Sequence, residues 1–230
     1  GDRYTYNENG DILTETYEDG SSYTYTYYDN GELYTETYTE NGDTISYVYN
    51  SDGTLKTETE SDGTVWNYTY NEYGHLISKL KNNGIGDSYT YQYFDFNGNG
   101  EYDEYKITYE RLENGEETWY TYNSKAVLTQ LKQKKNGKEL IYNYDTEGKI
   151  TSVEHNGFKY NYTYDAFGNT TAVKVGSQAL VTYGYQTDKS KLSTVTYGNG
   201  SGEENYTYNA YGEIIKKISK MCFGYRRFYI

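Results

Sequence analysis

The sequence predicts an all-β protein, a long, coiled antiparallel array of short hairpins, on three observations. A phrase of the form Tyr-x-Tyr-Asp/Asn-x-x-Gly, seen cleanly at residues 162–168, recurs from one end of the chain to the other. There is no proline in 230 residues, and 35 tyrosines stand among abundant threonine and 24 glycines. A fixed period marks a repeat architecture whose units bury their faces only against neighbours. Tyr and Thr favour extended backbone, while Gly, Asn and Asp supply its turns.

The phrase defines its own elements. Tyr162 and Tyr164 lie two apart, so both rings leave one face of a strand and Thr163 leaves the other. Asp165 then opens a type I turn, and Gly168 takes the positive φ that closes it, with a bulge as the return strand begins. The phrase starts at Tyr4, Tyr25, Tyr47, Tyr68, Tyr91, Tyr120, Tyr142, Tyr162, Tyr183 and Tyr206, at intervals of 21, 22, 21, 23, 29, 22, 20, 21 and 23 residues. After Gly31, the residues Leu33, Thr35 and Thr37 alternate with Tyr34, Glu36 and Tyr38 as a return strand. Further turns fall at Asp19-Gly20, Asn41-Gly42, Asp52-Gly53, Asp62-Gly63, Asn136-Gly137, Asn156-Gly157 and Asn199-Gly200, the dipeptides that tight hairpins favour. Each period is therefore about one hairpin. At about 4.8 Å per strand, roughly twenty strands make a strip on the order of 95 Å long that must twist or coil.

Mean hydropathy is −1.02 with 35% hydrophobic residues, too polar for a thick core, yet 19% of the chain is aromatic. Tyrosine buries its ring and keeps its hydroxyl bonded, so a thin sheet is stabilised without rows of Leu and Val.

These residues resemble the YD repeat of bacterial Rhs and wall-associated proteins, also seen in insecticidal toxin complexes and teneurins. The closest copies are residues 162–171 and 206–214, and the resemblance runs from Tyr4 to about Ile218. Phe94, Ala126, and Gln186 with Lys189 depart from the pattern. The resemblance implies a hollow β shell that encloses a toxic C-terminal segment, a secreted or cell-surface location, and, as partners, the rest of a larger shell or a toxin or effector segment. The expected organisation is a YD-repeat array over residues 1–220 with an insertion at 94–104, and an atypical cap or docking segment at 221–230.

The insertion holds the most chemically pointed motif. Asp95, Asn97, Asn99 and Asp103 place oxygen side chains at positions 1, 3, 5 and 9, with Gly100 at position 6 and the Glu101 carbonyl between, a set of hard oxygens that suits calcium. The stretch is similar to the Asp-x-Asn-Gly-Asp-Gly-x-x-Asp loops of FG-GAP repeats. Position 12 is Lys106 rather than a bidentate Glu, which argues against an EF-hand. Calcium is the expected cofactor, with an enlarged polar turn as the plain reading.

Charge is uneven: residues 1–60 carry 14 acidic and 2 basic side chains, residues 61–120 carry 11 and 4, and residues 121–230 carry 9 and 15. An acidic strip repels nucleic-acid phosphate and anionic lipid, so no nucleic-acid partner is expected. No apolar run is long enough for a membrane helix, so no membrane insertion is expected. Catalysis finds little footing. His75 and His155 lie in different repeats and read as exposed loop residues, and carboxylate pairs such as Asp103-Glu104, Glu116-Glu117 and Glu203-Glu204 follow from composition. Cys222 is alone and builds no disulfide framework. Two functions remain: a non-enzymatic structural repeat region, or a carbohydrate-binding or adhesin module that uses exposed tyrosine rows. Which strand face carries the tyrosines separates them.

Overall fold

The computed structural model describes residues 1–188 and 191–221, the side chains of Asn199 and Met221 excepted. The residues fall into two compact units, one of Gly1–Tyr93 with Tyr105–Glu117 and one of Phe94–Glu104 with Thr118–Ile230. The cap expected at 221–230 lies outside the described residues, apart from the backbone of Met221.

The first unit holds β1 (Arg3–Tyr6), β2 (Ile12–Thr16), β3 (Ser22–Tyr27), β4 (Leu33–Glu40), β5 (Asp43–Tyr49), β6 (Leu55–Thr59), β7 (Val65–Tyr70), β8 (Leu76–Lys81), most of β9 (Gly86–Phe94) and β10 (Glu104–Arg111). From β1 to β9 each strand pairs antiparallel with the next. The second unit holds β11 (Glu117–Tyr122), β12 (Leu128–Lys135), β13 (Lys138–Tyr144), β14 (Ile150–His155), β15 (Phe158–Tyr164), β16 (Thr170–Val175), β17 (Gln178–Tyr185), β18 (Leu192–Tyr197), β19 (Gly202–Tyr208) and β20 (Ile214–Met221). From β12 to β20 the order is again sequential and antiparallel. One 3-10 turn, Gly198–Gly200, joins β18 to β19 where the sequence suggests a hairpin dipeptide.

Two turn chemistries recur among the hairpins, beside turns such as those at Asp19, Asp52 and Asp62 whose third residue caps the N–H two positions on. In the phrase turns the Asp or Asn side chain caps the chain: Asp165 Oδ1 accepts the N–H groups of Phe167 and Asn169 at 2.9 and 3.0 Å. Asn7, Asn71, Asn123, Asp145 and Asn209 also each accept two. The bulge falls where the sequence predicts it. Thr26 faces Thr35 and Tyr27 faces Leu33, so Tyr34 is the extra residue on the return strand. The second chemistry is the two-residue turn with both central residues at positive φ, at Asn41-Gly42, Asn136-Gly137 and Asn156-Gly157.

The core is thin. Trp66, Phe94, Ala172 and Val195 are the buried apolar residues, and among the described residues no side chain falls below 2% exposure. Most of the packing comes from half-buried tyrosine.

One repeat starts elsewhere than the sequence suggests. Asp87 faces Lys79, and the Thr90 hydroxyl bonds that of Thr108 at 2.9 Å, as Thr26 bonds Thr35 at 2.5 Å. The structural phrase is therefore Tyr89-Thr90-Tyr91. The start moves from Tyr91 to Tyr89, because the insertion lengthens β9 beyond the phrase and Tyr91-Gln92-Tyr93 imitates it in sequence.

Candidate functional site

The tyrosines occupy one face of the strands. In β3, Tyr23, Tyr25 and Tyr27 are half-buried while Thr24 and Thr26 are exposed. In β7, Trp66 is buried, Tyr68 and Tyr70 are half-buried and Thr69 is exposed. In the first unit this face alternates aromatic rings with carboxylates across the strands: Tyr25 faces Glu36, Glu36 faces Tyr47, Tyr47 faces Glu58, and Glu58 faces Trp66. Hydroxyls feed the carboxylates. Tyr17 and Tyr25 donate to Glu15, Tyr49 donates to Glu36 at 3.0 Å, and Tyr68 donates to Glu58. Burial, then the bond to Glu36, pushes the Tyr49 phenol up to about 12, and burial with the Glu15 charge raises Tyr25 as well. Trp66 donates to Glu60 at 2.7 Å, with the Lys79 and Lys81 ammonium groups 4.6 and 4.7 Å from its ring centre.

A second tyrosine device joins consecutive repeats. The second tyrosine of a phrase donates its hydroxyl to a backbone carbonyl at the start of the preceding return strand. Tyr27 reaches Ile12 at 2.6 Å, Tyr91 reaches Leu76 at 2.7 Å, Tyr164 reaches Ile150 at 2.7 Å, Tyr185 reaches Thr170 at 2.9 Å and Tyr208 reaches Leu192 at 2.8 Å. Phenylalanine would fill the same space but leave that carbonyl without its donor, which is a physical reason for tyrosine at this position. The hydroxyl lies 14 to 16 residues from its acceptor in each measured case. The junctions from β4 to β5 and from β12 to β13 keep a different register, with Glu36 facing Tyr47 and Leu131 facing Tyr142.

Other candidates from the sequence are placed as follows. His75 is half-buried rather than exposed, because the lengthened β9 brings Tyr91 and Tyr93 beside it. Its ring lies 3.8 Å from that of Tyr105, and its Nδ1 is 2.8 Å from the Tyr93 hydroxyl, which also receives the Asn71 amide at 2.5 Å. His155 ends β14, also half-buried, 3.3 Å from the Glu139 carbonyl. Glu203 and Glu204 are neighbours on β19 and so point to opposite faces; Glu204 bonds Tyr206 and Lys217.

In the inserted loop, Asp95 accepts the Gly98 N–H at 2.6 Å on one oxygen and the Gly100 N–H at 2.8 Å on the other. These donors hold its carboxyl below the usual carboxylate range, Gly100 contributing most. Asn97 and Asn99 accept the N–H groups of Asn99 and Glu101 at 2.9 and 2.8 Å, and Asp103 accepts that of Phe96 at 2.7 Å. Gly98 and Gly100 supply positive φ of 72° and 89°. Each of these side-chain oxygens thus accepts from a backbone N–H, as in a polar turn closed by its own side chains. Among the described residues no three His, Cys, Asp or Glu side chains gather as a metal group. A cation here would draw on the Asn and backbone oxygens as well.

Together, these features define a tandem β-hairpin repeat protein, capped at its turns by Asp or Asn and stitched between repeats by tyrosine. Residues 49–85 match the RHS repeat family model. That stretch contains two phrase turns, at Asn50 and Asn71, and the same turn pattern recurs along the array. Over residues 49–85 the chain is similar to the RHS, or YD, repeat. No curated protein matches it in sequence. Among solved structures it is similar to the crystal structure of TcdB2-TccC3-Cdc42, with 19% identity and a TM-score of 0.39 over 95% of this chain and 13% of that one. The crystal structure of TcdB2-TccC3 without its hypervariable C-terminal region gives 13% identity and a TM-score of 0.40 over 95% and 16%. A porin-like protein from Bacteroides uniformis gives 16% and 0.27 over 84% and 91%. The chain thus spans 13% and 16% of the length of the first two. The likeness to the RHS repeat rests on residues 49–85, not on these superpositions.

Proposed function

We propose that this chain is a non-enzymatic structural repeat region of a secreted or cell-surface protein, one stretch of a β shell that encloses or displays a toxin or effector segment. The observation that carries the reading is the tyrosine stitch. The side chain that gives the repeat its signature is spent on joining one repeat to the next, and the hydroxyls of Tyr17, Tyr25, Tyr49 and Tyr68 in the first unit serve carboxylates on the same face. The RHS repeat match supports the same reading.

A second reading, a carbohydrate-binding or adhesin surface, draws on Tyr73 and Tyr105, 46% and 49% exposed beside the polar groups of Asn71 and His75. A glycan array screened with and without millimolar calcium separates the two. The structural reading expects no glycan retained in either condition, and a glycan held in the micromolar range would replace it with the adhesin reading. Calcium at residues 95–103 belongs with either function, as an ion that pins the insertion.

A further inference from the structure

The turn that leads into β8 settles which way a tyrosine–histidine hydrogen bond runs. Asn71 caps this turn with Oδ1, which accepts the N–H groups of Tyr73 and His75 at 3.0 Å each. The amide atom 2.5 Å from the Tyr93 hydroxyl is therefore Nδ2, a donor. Since the phenol oxygen accepts from Asn71, the phenol hydrogen points to His75 Nδ1, 2.8 Å away. Nδ1 is the accepting ring nitrogen, and the ring hydrogen sits on Nε2. Tyr93 thus has a base in line with its O–H bond.

Other rings crowd this pair. Tyr73, at the tip of the same turn, lies 4.5 Å from Tyr93, ring centre to ring centre, with the planes tilted by 48°. His75 lies 3.8 Å from Tyr105 and 5.3 Å from Tyr91. Tyr73 and Tyr105 are about half exposed, so an oxidant in solution reaches the group. Asn71, Tyr73, His75, Tyr91, Tyr93 and Tyr105 all belong to the first unit. Two other tyrosine pairs are about as close but have a weaker proton acceptor or none. Tyr28 and Tyr34 lie 4.8 Å apart, and Tyr28 donates to the Tyr49 carbonyl, which takes up no proton. Tyr23 and Tyr38 lie 4.7 Å apart, and Tyr38 donates to the Glu40 carboxylate, a weaker base than imidazole.

We infer that Tyr93 is a site of proton-coupled oxidation, with His75 as its proton acceptor, and that a peroxide-driven one-electron oxidant of the haem-peroxidase class bonds it covalently to Tyr73. Tyr93 gives an electron to the oxidant and its hydroxyl proton to His75 Nδ1. Tyr73 gives an electron to the oxidant and a proton to water. The two phenoxyl radicals pair their odd electrons in a bond between ring carbons, each ortho to its own oxygen. Each of those carbons then releases its hydrogen as a proton while its ring oxygen takes one up, so both rings are phenols again, and His75 passes its proton to water. In sum, two phenols and one hydrogen peroxide become one biaryl and two waters, the peroxide taking up two electrons and two protons. The bond ties the turn between β7 and β8 to β9, a staple between successive repeats that needs no cysteine.

Dilute full chain treated with a haem peroxidase and limiting hydrogen peroxide tests this, the monomer being recovered by size exclusion and its linked peptides located by fragmentation mass spectrometry. The expected result is that the most abundant link within the chain joins Tyr73 to Tyr93, the product being two hydrogens lighter than its parts. His75→Phe keeps a ring beside Tyr105 but removes the base. With its fold checked by circular dichroism, this variant should form the Tyr73–Tyr93 link at least about tenfold more slowly, while the Tyr23–Tyr38 link forms as in the parent. A parent in which Tyr23–Tyr38 or Tyr28–Tyr34 links are as abundant as Tyr73–Tyr93 would overturn the inference, whether or not the variant folds. So would a folded His75→Phe variant that joins Tyr73 to Tyr93 as fast as the parent does.

Discussion

Ala126 offers the sharpest test of how the repeat turns are built. It stands where the other phrase turns carry glycine, and its φ of 57° lies in the left-handed region, beside values of 79° to 92° at Gly10, Gly31, Gly74, Gly148, Gly168 and Gly212. The turn holds it there, with its N–H on the Asn123 carbonyl at 3.1 Å and the Asn123 side chain accepting the N–H groups of Lys125 and Val127. Left-handed backbone costs an L-residue about 1–2 kcal/mol. Glycine gives back about 0.4–1 kcal/mol through its freer unfolded chain. Ala126→Gly should therefore stabilise by about 0.5–1 kcal/mol, which is a rise in Tm of about 1–4 °C for a chain of this size. The reciprocal Gly168→Ala should lose a similar amount, since a Cβ there meets nothing nearer than Lys149 Cε at 3.6 Å. Urea denaturation of both variants beside the parent measures the pair. An Ala126→Gly variant no more stable than the parent would refute the left-handed turn at this repeat.

Gly86→Ala should be far more damaging, about 2 kcal/mol or more, because a Cβ there would lie 2.1 Å from the Lys79 carbonyl oxygen at a φ of 152°; an unchanged urea midpoint would contradict the close approach of β8 and β9. Alkaline pH should unfold the chain through its tyrosines. Tyr49 is raised from 10.0 to about 12, so the folded state keeps a proton that the unfolded state has lost, and stability present below pH 10 falls as pH climbs toward 12. Urea midpoints at rising pH check this, and a flat profile would count against the tyrosine–carboxylate face. Calcium should bind residues 95–103 with micromolar to millimolar affinity, since two of the side-chain ligands are neutral Asn. Calorimetry that finds no heat at several millimolar calcium, or an Asp95→Asn variant that binds as well as the parent, would remove the ion.

The strand and turn order was legible because each decision is local. Tyr162 and Tyr164 declare a face, Asp165 a cap and Gly168 a left-handed turn, without reference to distant residues. The repeat start at Tyr89 was not legible, because the lengthened β9 repeats the tyrosine spacing two residues later, and only the partners Thr108 and Lys79 tell the two apart. Placing His75 needed the same lengthening. The stitch depends on register between strands, which a single phrase does not encode. Its one trace in the sequence is a Tyr about 15 residues after the apolar residue that follows each turn glycine, as Tyr27 follows Ile12. Residues 95–103 were singled out from spacing alone, and their bonds to backbone N–H groups are those of the plain turn.

The account rests most heavily on the tyrosine stitch, and a hydroxyl-deletion series measures it directly. Tyr164→Phe, Tyr185→Phe and Tyr208→Phe each remove one bond to the preceding repeat, while Tyr211→Phe, at 92% exposure, removes a hydroxyl at the surface. Equilibrium unfolding in urea should show a loss of about 1 kcal/mol for each of the first three and none for Tyr211→Phe. Stitch variants as stable as the parent, or a Tyr211→Phe variant that loses as much as they do, would contradict the claim that these hydroxyls hold the repeats together.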